Sequence, residues 1–379
     1  HPRVEQTDNN QSIRFMSKFI ISCGGTGGHL APGIAVGQAL INAGHSVSFV
    51  ISQKQVDSRL MKKYSDLHTI RAPGVAFSIN PIKFAKFLRE LVKAVRFGMD
   101  TIKSGNYDVV ISFGGFNSLG FSIAAAMLDK PLILHEANRK PGKATRFLGR
   151  FAKRIYVPYG VKIPRKKSGQ VKYAGYPVRD EIKKLPPRTA KEFFGFSNAN
   201  LLLVLGGSQG AAALNEWVNN NFERLAAENI DVLCVCGPGK HKFENKKTVG
   251  GDGSMREIKF LEFCDNMAAA MSAAELCVAR AGAGTIAELA RCRIPSIIVP
   301  YPFAADNHQL ENANCFEKQG ACVVLPQNDL HKLYAEVLRL IKDEKLKATM
   351  RKNLERVDDL NDTSKIVRDL TNVARGDFE

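Results

Sequence analysis

The residues best placed to do chemistry in this 379-residue chain lie in and beside four glycine-rich stretches. The first, Gly24-Gly25-Thr26-Gly27-Gly28-His29, follows the apolar run Phe19 to Cys23 and leads into a segment, Ile34 to Ala43, that reads as a helix. The second, Gly206-Gly207-Ser208-Gln209-Gly210, follows Leu201 to Leu205 and precedes a helix predicted from about Ala211. Shorter versions are Ser112-Phe113-Gly114-Gly115-Phe116 and Arg280-Ala281-Gly282-Ala283-Gly284-Thr285. A strand, a glycine turn and a helix in that order aim backbone N–H groups and the positive end of the helix dipole at one small volume. That favours an anion, phosphate above all. The first loop has neither the Gly-x-Gly-x-x-Gly spacing of dinucleotide folds nor the Gly-Lys-Ser/Thr of a Walker A loop. No Asp-x-Asp occurs, so that common carboxylate pair for holding a metal is missing and no cofactor is expected.

The elements that must hold these loops repeat along the chain. After the first loop, strands are predicted at Val47 to Ile51, Tyr107 to Ser112, Leu132 to His135 and Arg154 to Val157, separated by helical stretches. Such alternation implies a parallel, doubly wound sheet. From Tyr159 to Phe196 the pattern breaks into prolines, lysines and glycine, which reads as the connection between two domains. The alternation then resumes, with strands at Asp231 to Cys236, Glu275 to Ala279, Ser296 to Val299 and Ala321 to Leu325. A charged helix is predicted over His331 to Glu355, and a last one over Thr363 to Ala374 that packs back on the first domain. The expected organisation is a flexible extension over 1–16, a first domain over 17–176, a second over 177–354 and the returning segment 355–379. The length suits two α/β domains. A net charge of +17 asks for an acidic partner: a nucleotide, a nucleic acid or an anionic membrane face. The eight cysteines lie mostly in apolar segments without metal-ligand spacing and read as buried, reduced thiols.

Together GGTGGHLAPG, FGGF, HEAN, GYPVRDEI, GGSQGAAALN, FCDNMAAAMSAAEL, RAGAGTIAEL and PFAADNHQLENA resemble the MurG family, the bacterial transferases that complete lipid II for peptidoglycan. The resemblance covers both halves from about Ser17 to the last helix. It implies an α/β GT-B fold, two Rossmann-like doubly wound domains facing across a cleft. It also implies an inverting transfer of GlcNAc from UDP-GlcNAc to the C4 hydroxyl of the MurNAc of lipid I. On the donor side it assigns Ser208 and Gln209 to the phosphates, Arg179 to the nucleotide, Cys264 to uracil through its backbone, and Gly284, Thr285 and Glu288 to a region with Glu288 on the ribose. His308, Gln309 and Asn312 fall to the sugar loop, with Gln309 on the GlcNAc hydroxyls. On the acceptor side it assigns Thr26, Gly27, Gly28, His29, Gly115 and Asn138, with His29 as the proposed base or as a binder of acceptor or diphosphate. Family members often carry Ser-Gly-Ala-Leu-Thr where this chain has Ala281 to Thr285, so an apolar wall is missing at Gly284.

Structural readings compete for several of these residues. Ser208 is placed to cap the following helix, and Thr285-Ile286-Ala287-Glu288 spells a capping box. The positive helix end beside His29 lowers an imidazole's basicity. The segment Ile79 to Lys103 alternates apolar residues with cations at helical spacing. It reads either as a crossover helix with a solvated basic back or as a helix on an anionic bilayer through Lys83, Phe84, Lys86, Phe87 and Arg89. The resemblance implies residence on the cytoplasmic face of a bacterial membrane, with UDP-GlcNAc, lipid I, the anionic surface and other cell-wall synthesis proteins as partners. Rival readings are a UDP-GlcNAc 2-epimerase of the same architecture, a membrane scaffold, and a nucleic-acid binder. The last is disfavoured because the cations are not interleaved with aromatics on a recognisable reading module.

Overall fold

The computed structural model describes residues 16–377, apart from 25–26, 53–59, 74–80, 116–117, 165, 167–168, 198 and 241. Residues 1–15 of the expected extension, the acceptor-side residue Thr26 and the side chain of Lys83 lie outside what is described. In chain order the first sheet comprises β1 (Lys18–Ser22), β2 (Ser46–Ile51), β3 (Thr69–Arg71), β4 (Val109–Ser112), β5 (Leu132–His135), β6 (Arg154–Val157) and β7 (Val171–Tyr173). Its order is β3-β2-β1-β4-β5-β6-β7, and every pairing is parallel. Helices α1 (Gly27–Asn42), α2 (Pro81–Gly105), α3 (Leu119–Met127) and α4 (Lys143–Leu148) accompany it.

The second sheet comprises β8 (Asn200–Leu205), β9 (Ile230–Val235), β10 (Lys246–Val249), β11 (Met255–Leu261), β12 (Leu276–Ala279), β13 (Ser296–Ile298) and β14 (Val323–Val324). Its order is β10-β11-β9-β8-β12-β13-β14, with β10 antiparallel to β11 at one edge. Its helices are α5 (Pro187–Phe193), α6 (Ala212–Ala227), α7 (Met267–Ala273), α8 (Ala283–Cys292), α9 (His308–Lys318), α10 (Leu333–Lys342) and α11 (Glu344–Asp358). Then α12 (Thr363–Arg375) crosses back to the first sheet.

Continuous apolar runs make these strands because helices cover both faces of a parallel sheet. Along β8, Leu201, Leu203 and Leu205 enter one core while Leu202 and Val204 enter the other, the period of two that a strand imposes. In the first sheet Phe19 and Ile21 face one core and Ile20 the opposite one. The core shared by α1 and the first sheet also takes Ile366, Val367, Leu370 and Val373 from α12. Each such burial is worth roughly 1.5–3 kcal/mol. Arg154 and Tyr156 on β6 both donate to Asp369 Oδ2, at 3.3 and 2.6 Å, fixing the returning helix.

Several elements differ from the sequence reading. The stretch 159–196, expected as connection alone, supplies β7 to the first sheet and the short helix α5. Strands β3, β10 and β11 have little apolar patterning and carry charge, so they were not anticipated. The helix expected over 331–355 is two helices, parted at Asp343, whose carboxylate accepts from Leu346 N and starts the second. On α2 the expectation for Phe87 is corrected. It is buried with Ala94 and Ile102 on the inward face, because that helix must cover its own sheet and pack on α3. Phe84, Leu88 and Val92, spaced by four, form the exposed apolar stripe, beside the exposed Lys86, Arg89 and Lys93. No helix among the described residues is long and apolar enough to cross a membrane.

Candidate functional site

Among its parallel strands each sheet reverses its order at one point, between β1 and β4 in the first and between β8 and β12 in the second. In open parallel sheets ligands bind at the carboxyl ends of the strands at that point. All four glycine-rich loops leave from those four strand ends, two in each domain. The sequence showed the four loops but not their pairing, which comes from strand order.

On the first domain His29 is in the opening turn of α1, and its ring lies on the turn after β4. Gly115 has φ +80, and a Cβ there would sit 3.2 Å from His29 Nδ1, so this turn needs glycine. His135, at the end of β5, is buried 5.1 Å from the Phe113 ring. Burial pushes its imidazole down to about 4, with Glu136 opposing and His29 adding. Glu136 is buried as well and organises the loop beyond it. Its Oε1 accepts from Asn138 N (3.0 Å) and Asn138 Nδ2 (3.2 Å), and its Oε2 accepts from Gly142 N and Thr145 Oγ1, both at 2.8 Å.

That loop presents Asn138 and Arg139 to the second domain, where Asn312 meets them. Asn312 Nδ2 donates to Asn138 Oδ1 and to the Ala281 carbonyl, both at 3.1 Å, and Asn312 Oδ1 accepts from Arg139 N at 2.9 Å. Gln309 Oε1 accepts from Ala281 N (3.2 Å) and Tyr301 N (2.9 Å), tying the loop after β12 to the loop after β13. The Gln309 amide nitrogen remains as its second polar group. His308 Nδ1 donates to the Ala305 carbonyl at 2.7 Å, behind a turn in which Asp306 and Asn307 have φ of 53 and 55.

On α8 the capping box does not form. The helix begins at Ala283 with Gly282 as its cap, which puts Thr285 inside the first turn. Glu288 instead accepts from Arg179 Nη2 at 3.1 Å, with side chains only 15% and 10% exposed. Arg179 Nη1 reaches Tyr64 Oη (3.2 Å) and Glu181 Oε1 (3.3 Å), and Tyr64 donates to the same Glu181 oxygen. Burial works against the charge on Arg179, but Glu288, Tyr64 and Glu181 more than offset it and hold its pKa above the usual value. Burial also opposes charge on Glu181, yet the Tyr64 hydrogen bond, Arg179 and Lys63 keep that carboxyl below its ordinary value. Lys63 Nζ also donates to the Asp265 carbonyl (3.3 Å). The beginning of α8, the arginine from the connection and a tyrosine of the first domain therefore share one network. Tyr64 and Lys63 had no signal in the sequence, since nothing in their spacing announces a contact made between domains, and Glu181, though inside the GYPVRDEI motif, was not singled out.

The capping alternative for Ser208 also fails, since α6 starts at Ala212 with Ala211 at the cap. Ser208 and Gln209 are exposed on the loop after β8. The Cys264 side chain points into the core, where burial raises its thiol to about 11, so only its backbone is available to a ligand. Gly27, Gly28 and His29 gather at the first switch point with Gly115. Gly284, Thr285 and Glu288 gather at the second with Gln309 and Asn312, and Arg179 joins them through Glu288. The site is thus two amide-rich strand ends, an imidazole on one domain and a carboxylate on the other.

Residues 19–157 match the glycosyltransferase family 28 N-terminal domain and residues 201–364 its C-terminal domain. A protein of Opitutus terrae, named UDP-N-acetylglucosamine--N-acetylmuramyl-(pentapeptide) pyrophosphoryl-undecaprenol N-acetylglucosamine transferase, is 46% identical over 361 residues, 95% of this chain and 96% of its own. One of the same name from Nitrosospira multiformis is 34% identical over 82% of this chain and 86% of its own. Among solved structures, Acinetobacter baumannii MurG aligns with a TM-score of 0.67 at 23% identity, over 94% of this chain and 99% of that one. A putative UDP-N-acetylglucosamine 2-epimerase from Listeria monocytogenes aligns with a TM-score of 0.69 at 12% identity, over 95% and 96%. The fold is common to both chemistries and does not choose between them.

Proposed function

The chain belongs to the MurG family of family 28 glycosyltransferases, and from that premise we propose that it moves GlcNAc from UDP-GlcNAc to the C4 hydroxyl of MurNAc in lipid I, with inversion, giving lipid II. The observation that carries this reading is 46% identity over 95% of the chain to a protein named for the reaction. The four glycine loops leaving four switch-point strand ends supply the matching chemistry.

On this reading residues 17–176 form the acceptor side and 177–354 the donor side. The diphosphate of UDP lies over the loop after β8, where backbone N–H groups, Ser208 and Gln209 take the charge that develops as UDP leaves. Uracil is read by backbone beside Cys264. The Glu288 carboxylate accepts from the ribose hydroxyls at the lone pairs that its bond to Arg179 leaves open, and Arg179 faces the nucleotide from the same network. Gln309, His308 and Asn312 face the sugar. The acceptor hydroxyl attacks the anomeric carbon, the bond to the UDP oxygen breaks, and the hydroxyl proton passes to His29, which Gly115 leaves room for. Thr26, Gly27, Gly28 and Asn138 hold the acceptor's diphosphate and sugar.

The chain then works as a peripheral enzyme on the cytoplasmic face of a bacterial membrane. Phe84, Leu88 and Val92 dip into the interface while Lys86 and Arg89 face anionic headgroups, each worth about 1 kcal/mol. The test is GlcNAc transfer from labelled UDP-GlcNAc to a lipid I analogue in EDTA, with the intact chain and His29→Ala. Product from the intact chain, lost in the variant while UDP binding persists, supports the reading. Conversion of UDP-GlcNAc to its C2 epimer without product refutes it.

A further inference from the structure

Tyr176 stands where the two halves of the site approach each other, and the chemistry above does not use it. It is 8% exposed, and its backbone N–H donates to Asn361 Oδ1 at 2.9 Å, where the chain returns from α11 to α12. Its phenol donates to the Gly28 carbonyl at 3.4 Å, in the opening turn of α1 and one residue before His29. The other side of the ring meets α8. A Cβ on Gly284 would lie 2.7 Å from Tyr176 Oη and 3.1 Å from its Cζ. Three residues along, Arg179 takes Glu288, one helical turn beyond Gly284 on the same helix. The ring edge also packs on His135, centroids 6.5 Å apart at 81°. Asn361 therefore fixes the backbone of this residue, while α1, α8 and His135 meet its ring.

We propose that Tyr176 is a positioning residue for the transfer, a strut between the start of α1 and the start of α8 that sets the distance from His29 to the donor-binding helix, with Gly284 as its size-matched partner. This rests on the transferase reading of the same cleft. The reasoning is steric. A methyl group at 284 cannot sit 2.7 Å from the phenol oxygen; because the ring packs on His135 and its hydroxyl is held at the Gly28 carbonyl, the relief is expected from α8 moving away from α1. Ordinary contact then opens the gap by roughly half an ångström or more. A reacting geometry misplaced by about 1 Å loses on the order of a hundredfold in rate, so a tenfold or larger fall is expected here.

The test uses the full chain with lipid I analogue and UDP-GlcNAc, with UDP affinity measured separately by calorimetry. Tyr176→Phe keeps the ring and its packing and removes the contact with Gly28; kcat is expected to fall about threefold or more with UDP affinity unchanged. Gly284→Ala is expected to lower kcat tenfold or more with UDP affinity held within about threefold. Adding Tyr176→Phe to Gly284→Ala relieves the nearer clash, so the double variant is expected to turn over faster than Gly284→Ala alone. A residue that merely stabilises the fold gives losses that add, and that sign reversal would be missing. A double variant no faster than Gly284→Ala, or Tyr176→Phe with the parent's kcat, overturns the proposal. Should Gly284→Ala fail to fold, Tyr176→Phe alone decides it. A parent chain that makes no product overturns the transferase reading instead, since the variants then have nothing to lower.

Discussion

Replacing Glu288 by glutamine separates the two roles open to that carboxylate. In the free protein Glu288 Oε1 is 3.1 Å from Arg179 Nη2, and both side chains are largely buried. Removing one member of a buried pair typically costs about 3–5 kcal/mol. Here Glu181 remains 3.3 Å from the same guanidinium, and glutamine keeps an acceptor oxygen. The expected cost is therefore about 1–2 kcal/mol, a fall in Tm of roughly 2–8 °C for a domain of this size. If the carboxylate also takes the ribose hydroxyls, losing a charge-assisted hydrogen bond costs roughly a further 1.5–3 kcal/mol of binding, or about 10- to 150-fold in UDP affinity. Calorimetry with UDP and with 2′-deoxy-UDP reads this directly. The parent should discriminate between the two nucleotides, and Glu288→Gln should bind UDP weakly and discriminate little. A variant that melts early yet binds UDP within twofold of the parent would refute the ribose assignment and leave Glu288 as the counter-ion of Arg179.

Asn312→Ala removes the acceptor of Arg139 N and the donor to Asn138 and Ala281, at about 1 kcal/mol each. A lower denaturation midpoint is expected, and an unchanged one would count against the inter-domain clasp. His135 titrates at about 4 when folded because burial disfavours its charged form, against about 6.5 in the unfolded chain. The unfolded state thus binds the extra proton between those values. Stability from this group is present above about pH 6.5 and is lost as the pH falls toward 4, by roughly 3 kcal/mol in all. Melting curves across that window should slope less for His135→Phe than for the parent, and equal slopes would sink the idea. Charge reversal at Lys83, Lys86 and Arg89 should weaken sedimentation with phosphatidylglycerol vesicles by at least about tenfold; undiminished binding would remove the membrane from the account.

The sequence made the loops legible because glycine turns after apolar runs are local. Both β8, with its apolar run Leu201 to Leu205, and the first switch-point strand could be read the same way. What stayed hidden is non-local. The pairing of Ser112 to Gly115 with the first loop depends on which strands are neighbours. The capping readings of Ser208 and Thr285 were reasonable locally and failed because each helix starts elsewhere, at Ala212 and Ala283. The helical pattern of 79–103 identified an amphipathic helix, yet the side that faces protein depends on α3, so Phe87 and Leu88 exchange the environments that periodicity alone left open. Arg179 was marked by the resemblance, but its partner Tyr64 is visible only once the domains are side by side.

The return of α12 to the first sheet has a consequence for how the chain is made. Synthesis proceeds from the amino end, and domains usually fold as they emerge. Residues 176–358 form a contiguous block that supplies the buried residues of both cores around the second sheet, so those cores can close on the way out. The domain made first cannot, because Ile366, Val367, Leu370 and Val373 cover an apolar face bordered by α1, and Asp369 is the partner of Arg154 and Tyr156. That face stays open to the cytosol, or to a chaperone, until the ribosome has passed residue 375. The half assigned to the acceptor is finished last, so a prematurely terminated product leaves an incomplete acceptor side instead of a half-working enzyme.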